Sequence, residues 1–165
     1  MEAMGGYGII ANNMHLTIRK ATLEDLPEII RLIADDFLGR QRESFELPIK
    51  SCYVDAFREI DADPNNELLV AELDGAVVGT MQLTFTPSLS FQGGRRSTVE
   101  SVRVDESLRG RGIGREMMLW AIERAKERDC VSMQLTSHVE RPRAHTFYER
   151  LGFHRSHAGF KLPLH

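Results

Sequence analysis

One stretch constrains what this chain can fold into more than any other: residues 99–118, Val-Glu-Ser-Val-Arg-Val followed by Asp-Glu-Ser-Leu and Arg-Gly-Arg-Gly-Ile-Gly-Arg-Glu-Met-Met. Val102 and Val104 alternate with polar residues as in a strand, and the segment from Ile113 onward has helical periodicity. Between them lies a cationic turn with glycine at 110, 112 and 114. A strand that feeds a helix through such a turn presents backbone N–H groups without intrahelical partners, and the positive end of the helix dipole, to whatever approaches. That is an anion site.

The remaining composition limits where such an anion can come from. The formal net charge of −3 lacks the basic excess of a phosphate-tracking surface, so nucleic acid is not expected as a partner. No apolar run approaches the roughly 20 residues of a spanning helix, so no membrane partner is expected either. With 165 residues, one compact domain over 14–165 is expected, preceded by a loose extension over 1–13 that lacks the basic start of a secretory signal. Cys52 and Cys130 are too few and too far apart for a disulfide framework or a metal knuckle, and a cytoplasmic location is expected.

In chain order, residues 15–20 alternate as a strand, and Thr22 with Asp25 makes a capping signal. Leu26, Ile29, Ile30, Ile33 and Phe37 then form one helical stripe, and a second helix is predicted over 49–60. Asp74-Gly75 separates strand patterns at 67–73 and 76–85, a hairpin signal with positive-φ turn chemistry. A loop over 87–96 leads to a strand at 98–104. The helix after the glycine turn buries Ile113, Met117, Trp120, Ala121 and Ala125 and ends near Arg128. A strand at 131–136 should return parallel to 98–104 through that crossover. Pro142 opens a short helix carrying Ala144, Phe147, Tyr148 and Leu151, and two final strands are expected near 153–157 and 160–164.

Known glycine turns discriminate sharply. A dinucleotide fingerprint started at Gly110 would need glycine where Arg115 stands, and a P-loop would need Lys-Ser/Thr after Gly114, where Arg115-Glu116 stands. Arg-x-x-Gly-x-Gly over 109–114, after a Val-x-Val strand, resembles instead the acyl-CoA motif of the Gcn5-related N-acetyltransferase (GNAT) superfamily. Ala144, Phe147, Tyr148, Gly152 and Phe153 resemble that family's second signature, Ala-x-x-Phe-Tyr-x-x-x-Gly-Phe, at its usual downstream distance. The order of elements over 14–164 is similar too. The resemblance implies an α/β (α+β) GNAT fold, with a mixed central sheet, antiparallel N-terminal strands, a splayed parallel pair, and helices on both faces.

It further implies a function: transfer of an acetyl group from acetyl-CoA to a small-molecule primary amine by direct attack in a ternary complex. Val102 and Val104 would pair with the pantetheine arm, and Arg109, Gly110, Arg111, Gly112, Ile113, Gly114 and Arg115 would hold the pyrophosphate. Glu100 is the candidate base, acting through water, Val102 N–H the donor to the thioester carbonyl, and Tyr148 the acid for the leaving thiolate. Strict alternation puts Glu100 on the face of Val102 and Val104, although a bulge of the kind frequent in this family would re-aim it.

The sequence departs from the family where Arg141 stands in place of a cofactor-contacting asparagine. His138, His145, His154 and His157 lack metal-site spacing, so no metal is expected. The C-terminal third is also similar to aminoalkylphosphonate N-acetyltransferases, and a homodimer is compatible with the family resemblance. A non-catalytic acyl-CoA-binding or regulatory module, or a protein acetyltransferase acting on N-termini or lysines, remains the alternative.

Overall fold

The computed structural model describes residues 6–10, 14–35 and 39–164. Six strands form one sheet in sequential order: β1 (Gly6–Ile10), β2 (Met14–Lys20), β3 (Asn66–Leu73), β4 (Ala76–Thr86), β5 (Arg95–Val104) and β6 (Cys130–Leu135). Neighbours from β1 to β5 run antiparallel, and β6 joins β5 in parallel. The helices are α1 (Leu26–Ala34), α2 (Ser51–Ala62), α4 (Ile113–Glu127) and α5 (Pro142–Arg150), with a single left-handed turn, α3 (Ser90–Gly93), where Phe91 and Gln92 take φ of 55° and 57°. Among the described residues no helix is long and apolar enough to cross a membrane.

The sheet is apolar on both faces because both are covered. Leu69, Ala71, Met81, Leu83, Phe85 and Val99 pack under Ile113, Met117, Met118 and Ala121 of α4. On the opposite face Val70 packs with Leu26, Ile29 and Ile30 of α1 and Phe57 of α2. The hairpin signal is realised in Asp74 and Gly75, both at positive φ (50° and 84°). The capping signal is realised as well: Thr22 N–H donates to Asp25 Oδ2 at 2.8 Å. Asp25, only 8% exposed, also accepts two bonds from the Arg19 guanidinium, at 2.6 and 2.9 Å. α4 is anchored to the sheet by Arg124, whose Nη2 donates to the buried Glu67 Oε1 at 2.7 Å.

Two expectations are corrected. Gly6–Ile10, read as part of a loose extension, is a strand that pairs residue for residue with β2, from Gly6 opposite Ile18 to Ile10 opposite Met14. Its glycine-rich sequence hides the pattern, because backbone pairing needs no apolar side chain. The final strands at 153–157 and 160–164 do not form: the described chain beyond Gly152 is irregular, and Phe160, Leu162 and Leu164 are 94%, 82% and 80% exposed. Their alternation is genuine, but alternation makes a strand only when a partner supplies the ladder. The first helix ends at Ala34, and Asp36 and Phe37, assigned to its neighbourhood and stripe, lie outside the described residues.

Candidate active site

Pairing between β5 and β6 runs from Arg95 opposite Cys130 to Val99 opposite Leu135 and then stops. The next β5 residues, 100–104, have a ladder partner on the β4 side alone. The parallel pair is therefore open at the end from which the glycine turn departs, and a sheet edge of this kind accepts an extended polar chain as an added strand.

A bulge re-aims the side chains at the same place. β4 opposes Gln82 to Glu100 and Thr80 to Arg103, leaving Ser101 and Val102 together opposite Met81, and Ser101 takes φ of 53°. Residues directly opposite share a face. Glu100 therefore lies with Gln82, and Arg103 with Thr80, on the side away from α4, whereas Val102 and Val104 pack into the α4-side core. The strict-alternation placement of Glu100 beside Val102 is thus corrected by one extra residue. Glu100 is exposed, on the α1 and α2 side of the sheet.

Beyond Val104 the chain is tightly pinned. Asp105 N–H donates to Val78 O at 2.9 Å, and the Asp105 carboxylate accepts from Ser107 N–H at 3.0 Å and from Arg31 Nη2 at 2.8 Å. Hydrogen bonds from Ser107 and Arg31 hold the Asp105 carboxyl below the usual carboxylate range. Arg109 Nε donates to Val104 O at 3.2 Å. Gly110 and Gly112 then take φ of 81° and 89°, values that L side chains rarely adopt, and Gly112 is the N-cap of α4. Arg109, Arg111 and Arg115 are exposed around this turn, with Ile113 fully buried beneath it. Gly114 differs from the other two: its φ is ordinary, and an added Cβ would meet Val104 Cγ2 at 3.6 Å and Phe147 Cζ at 3.7 Å, normal contact distances. The fold itself does not require glycine there.

Tyr148 is carried by α5, with its ring edge-on to Phe147 at 5.1 Å and to Phe153 at 5.9 Å, against the α4-side core. Burial pushes the Tyr148 phenol above the ordinary tyrosine range, while the Arg103 and Arg141 guanidinium charges pull it back. Arg141, the residue in place of the family asparagine, is the N-cap position of α5. Tyr148 and two cations, one from β5 and one from the start of α5, thus share one neighbourhood beside the parted strands. By register Glu100 shares the face of Arg103, whereas Tyr148 packs on the α4 side. The role of Arg103 was not legible in the sequence, since its proximity to Tyr148 depends on the packing that brings α5 to β5.

Among the described residues no three His, Cys, Asp or Glu side chains gather as a metal site. His145 Nε2 lies 2.9 Å from His138 O, a local loop contact.

An open strand edge, a pinned glycine turn at a helix N-terminus and a half-buried tyrosine thus lie together at one end of the sheet. The family model of the acetyltransferase (GNAT) family matches residues 28–153, and the chain belongs to that family. It is 28% identical to the aminoalkylphosphonate N-acetyltransferase of Salmonella typhimurium, over 89% of this chain and 90% of the relative. An uncharacterized N-acetyltransferase of Archaeoglobus fulgidus is 26% identical over 87% of this chain and 97% of its own. Among solved structures, a transcriptional regulator from Bacillus halodurans superposes with a TM-score of 0.89 at 51% identity, covering 91% of this chain and 100% of that one.

Proposed function

We propose that this protein transfers an acetyl group from acetyl-CoA to the primary amine of a small molecule by direct attack in a ternary complex. The observation that carries the proposal is the unpaired edge of β5 beyond Val99, continuous with the glycine turn at one end and flanked by Tyr148. The residues present fit a CoA thioester. Val102 and Val104 offer backbone groups to an amide-bearing arm. The N–H groups at the start of α4 (Arg111, Gly112, Ile113, Gly114 and Arg115), with the charges of Arg109 and Arg111 and the space left by Gly110, suit a pyrophosphate.

In the reaction, Glu100 accepts the amine proton through water so that a neutral amine attacks. Val102 N–H donates to the thioester oxygen as it gains charge. The Tyr148 phenol, held protonated by its burial, gives its proton to the departing sulfur, and the Arg103 and Arg141 charges favour the developing thiolate. The passage between the faces, where β5 leaves β6, is what lets Glu100 and Tyr148 work on one reacting centre. The relative in Salmonella typhimurium is an aminoalkylphosphonate N-acetyltransferase, which places aminophosphonates among the acceptors to try. Cys52 and Cys130 are both free thiols, compatible with the cytoplasmic location we assign.

The test is thioester loss from acetyl-CoA across a panel of aminophosphonates, amino sugars, polyamines and aminoglycosides. Amine-dependent release of CoA is expected. The identity to a transcriptional regulator favours a second reading, a non-catalytic acyl-CoA-binding module, which predicts CoA binding with no release on any amine. A homodimer belongs to the same proposal, because β6 is an outer strand of the sheet and Phe160, Leu162 and Leu164 are exposed. Light scattering of the wild type at a monomer mass would remove it.

A further inference from the structure

The α2-side face of the sheet is apolar under α1 and α2 and changes character toward β6. There, Asn66 of β3, Gln82 and Thr84 of β4, Thr98 and Glu100 of β5 and Gln134 of β6 share one face by register, and all are half-buried or exposed. They are joined laterally. Thr84 Oγ1 and Gln82 Nε2 donate to Asn66 Oδ1 at 2.8 and 3.2 Å, Asn66 Nδ2 donates to Asp63 Oδ2 at 2.6 Å, and Gln134 Nε2 donates to Thr98 Oγ1 at 3.2 Å. These bonds fix the side chains while leaving the Oε1 atoms of Gln82 and Gln134, the Thr98 hydroxyl proton and the Glu100 carboxylate to face a ligand. On the same face Arg96 stands opposite Thr86 and Ser132, and its Nε is buried without a hydrogen-bond partner. A buried donor of that kind calls for an acceptor from elsewhere.

Given the transfer reaction proposed above, we infer that this polar strip is the floor of the acceptor site and that it selects a hydroxyl-rich primary amine bearing an anionic group. The ammonium meets Glu100, the hydroxyls meet the Gln82 and Gln134 carbonyls and the Thr98 hydroxyl, and the anion meets Arg96. Four strand residues separate Glu100 from Arg96, about 13 Å of backbone, a span that a phosphorylated amino sugar fills. An aromatic or aliphatic amine would cover these groups without satisfying them, and would be rejected for that reason.

The experiment compares a phosphorylated amino sugar, the same sugar without phosphate, an aromatic amine and a polyamine, by thioester loss and by titration calorimetry in the presence of CoA. Wild type should prefer the phosphorylated sugar, by about tenfold over the neutral one and about a hundredfold over the aromatic amine in kcat/KM. Thr98→Val with Gln134→Leu should raise KM for the sugars about tenfold with kcat and the KM for acetyl-CoA unchanged, and Arg96→Leu should abolish the preference for phosphate. Preference for the aromatic amine or the polyamine, or a sugar KM unmoved by these variants, overturns the inference and leaves the transferase standing. Calorimetric binding of the phosphorylated sugar, weakened in the variants but without thioester loss, supports the strip and overturns the transferase. Neither binding nor turnover overturns both.

Discussion

Arg31 Nη2 lies 2.8 Å from Asp105 Oδ2, tying the middle of α1 to the residue that caps the turn before the glycines. α1 roofs one face of the sheet and the glycine turn opens α4 on the other, so this ion pair connects the proposed acceptor side to the proposed acetyl-CoA side. Both side chains remain partly exposed, at 32% and 22%, and the stability the pair contributes is about 1 kcal/mol or less. Its larger effect should be on position: Arg31→Met is expected to raise the KM for acetyl-CoA about three- to tenfold with a small shift in melting temperature. Steady-state kinetics beside a thermal melt checks this, and an unchanged KM would confine Arg31 to a surface role.

Tyr148→Phe removes the proposed proton donor and keeps the ring that packs on Phe147 and Phe153. We expect kcat to fall about a hundredfold, with CoA affinity within twofold of wild type. Because burial raises the Tyr148 pKa, the donor stays protonated past the pH at which free tyrosine ionises, so its loss should not limit activity below that pH. Ultraviolet titration of wild type against Tyr148→Phe would show the missing phenol as one that titrates above the ordinary range, beside Tyr53, which is also raised. A midpoint at or below that range would contradict the buried placement.

Gly114→Ala separates fold from ligand. The added methyl would sit 3.6 Å from Val104 Cγ2 and 3.7 Å from Phe147 Cζ, so stability should hold or rise by a few tenths of a kcal/mol, as expected for alanine in a first helical turn. Binding of acetyl-CoA should weaken at least tenfold if the backbone here approaches the pyrophosphate. Calorimetric titration with CoA measures it, and full affinity would show that the phosphates lie elsewhere. Gly112→Ala, at φ of 89°, should instead lose about 1 kcal/mol of stability.

Asp25 gives the fold an acid-side dependence. Hydrogen bonds from Arg19 and from the Thr22 backbone, with the Arg19 charge, hold its carboxyl below the ordinary aspartate value despite burial. The unfolded chain therefore takes up this proton first as pH falls, and stability rises with pH in that window. The contribution is complete above about pH 5 and is lost as pH drops through the unfolded aspartate value near 4 toward the lower folded one. Urea midpoints for wild type and Asp25→Asn should differ most at neutral pH and converge once the pH falls below the lowered folded value. A constant gap between them would remove Asp25 as the source.

The sequence by itself determined the architecture and the half of the site that is built from backbone. The period of Leu26, Ile29, Ile30 and Ile33, the Asp74-Gly75 turn and the Arg-x-x-Gly-x-Gly run are local signals, each read within one element, and each is realised where the residues indicated. The tertiary structure alone decided what depends on a partner. Gly6–Ile10 is a strand because it pairs with the edge of β2, while the alternating Phe160, Leu162 and Leu164 pair with no strand and stay exposed. One residue at Ser101 moved Glu100 to the other face of the sheet, a change that composition and spacing do not carry. Gln82, Thr84, Thr98 and Gln134 read along the chain as an ordinary solvent face. They become one polar floor only when three strands, separated by up to fifty residues, are laid side by side.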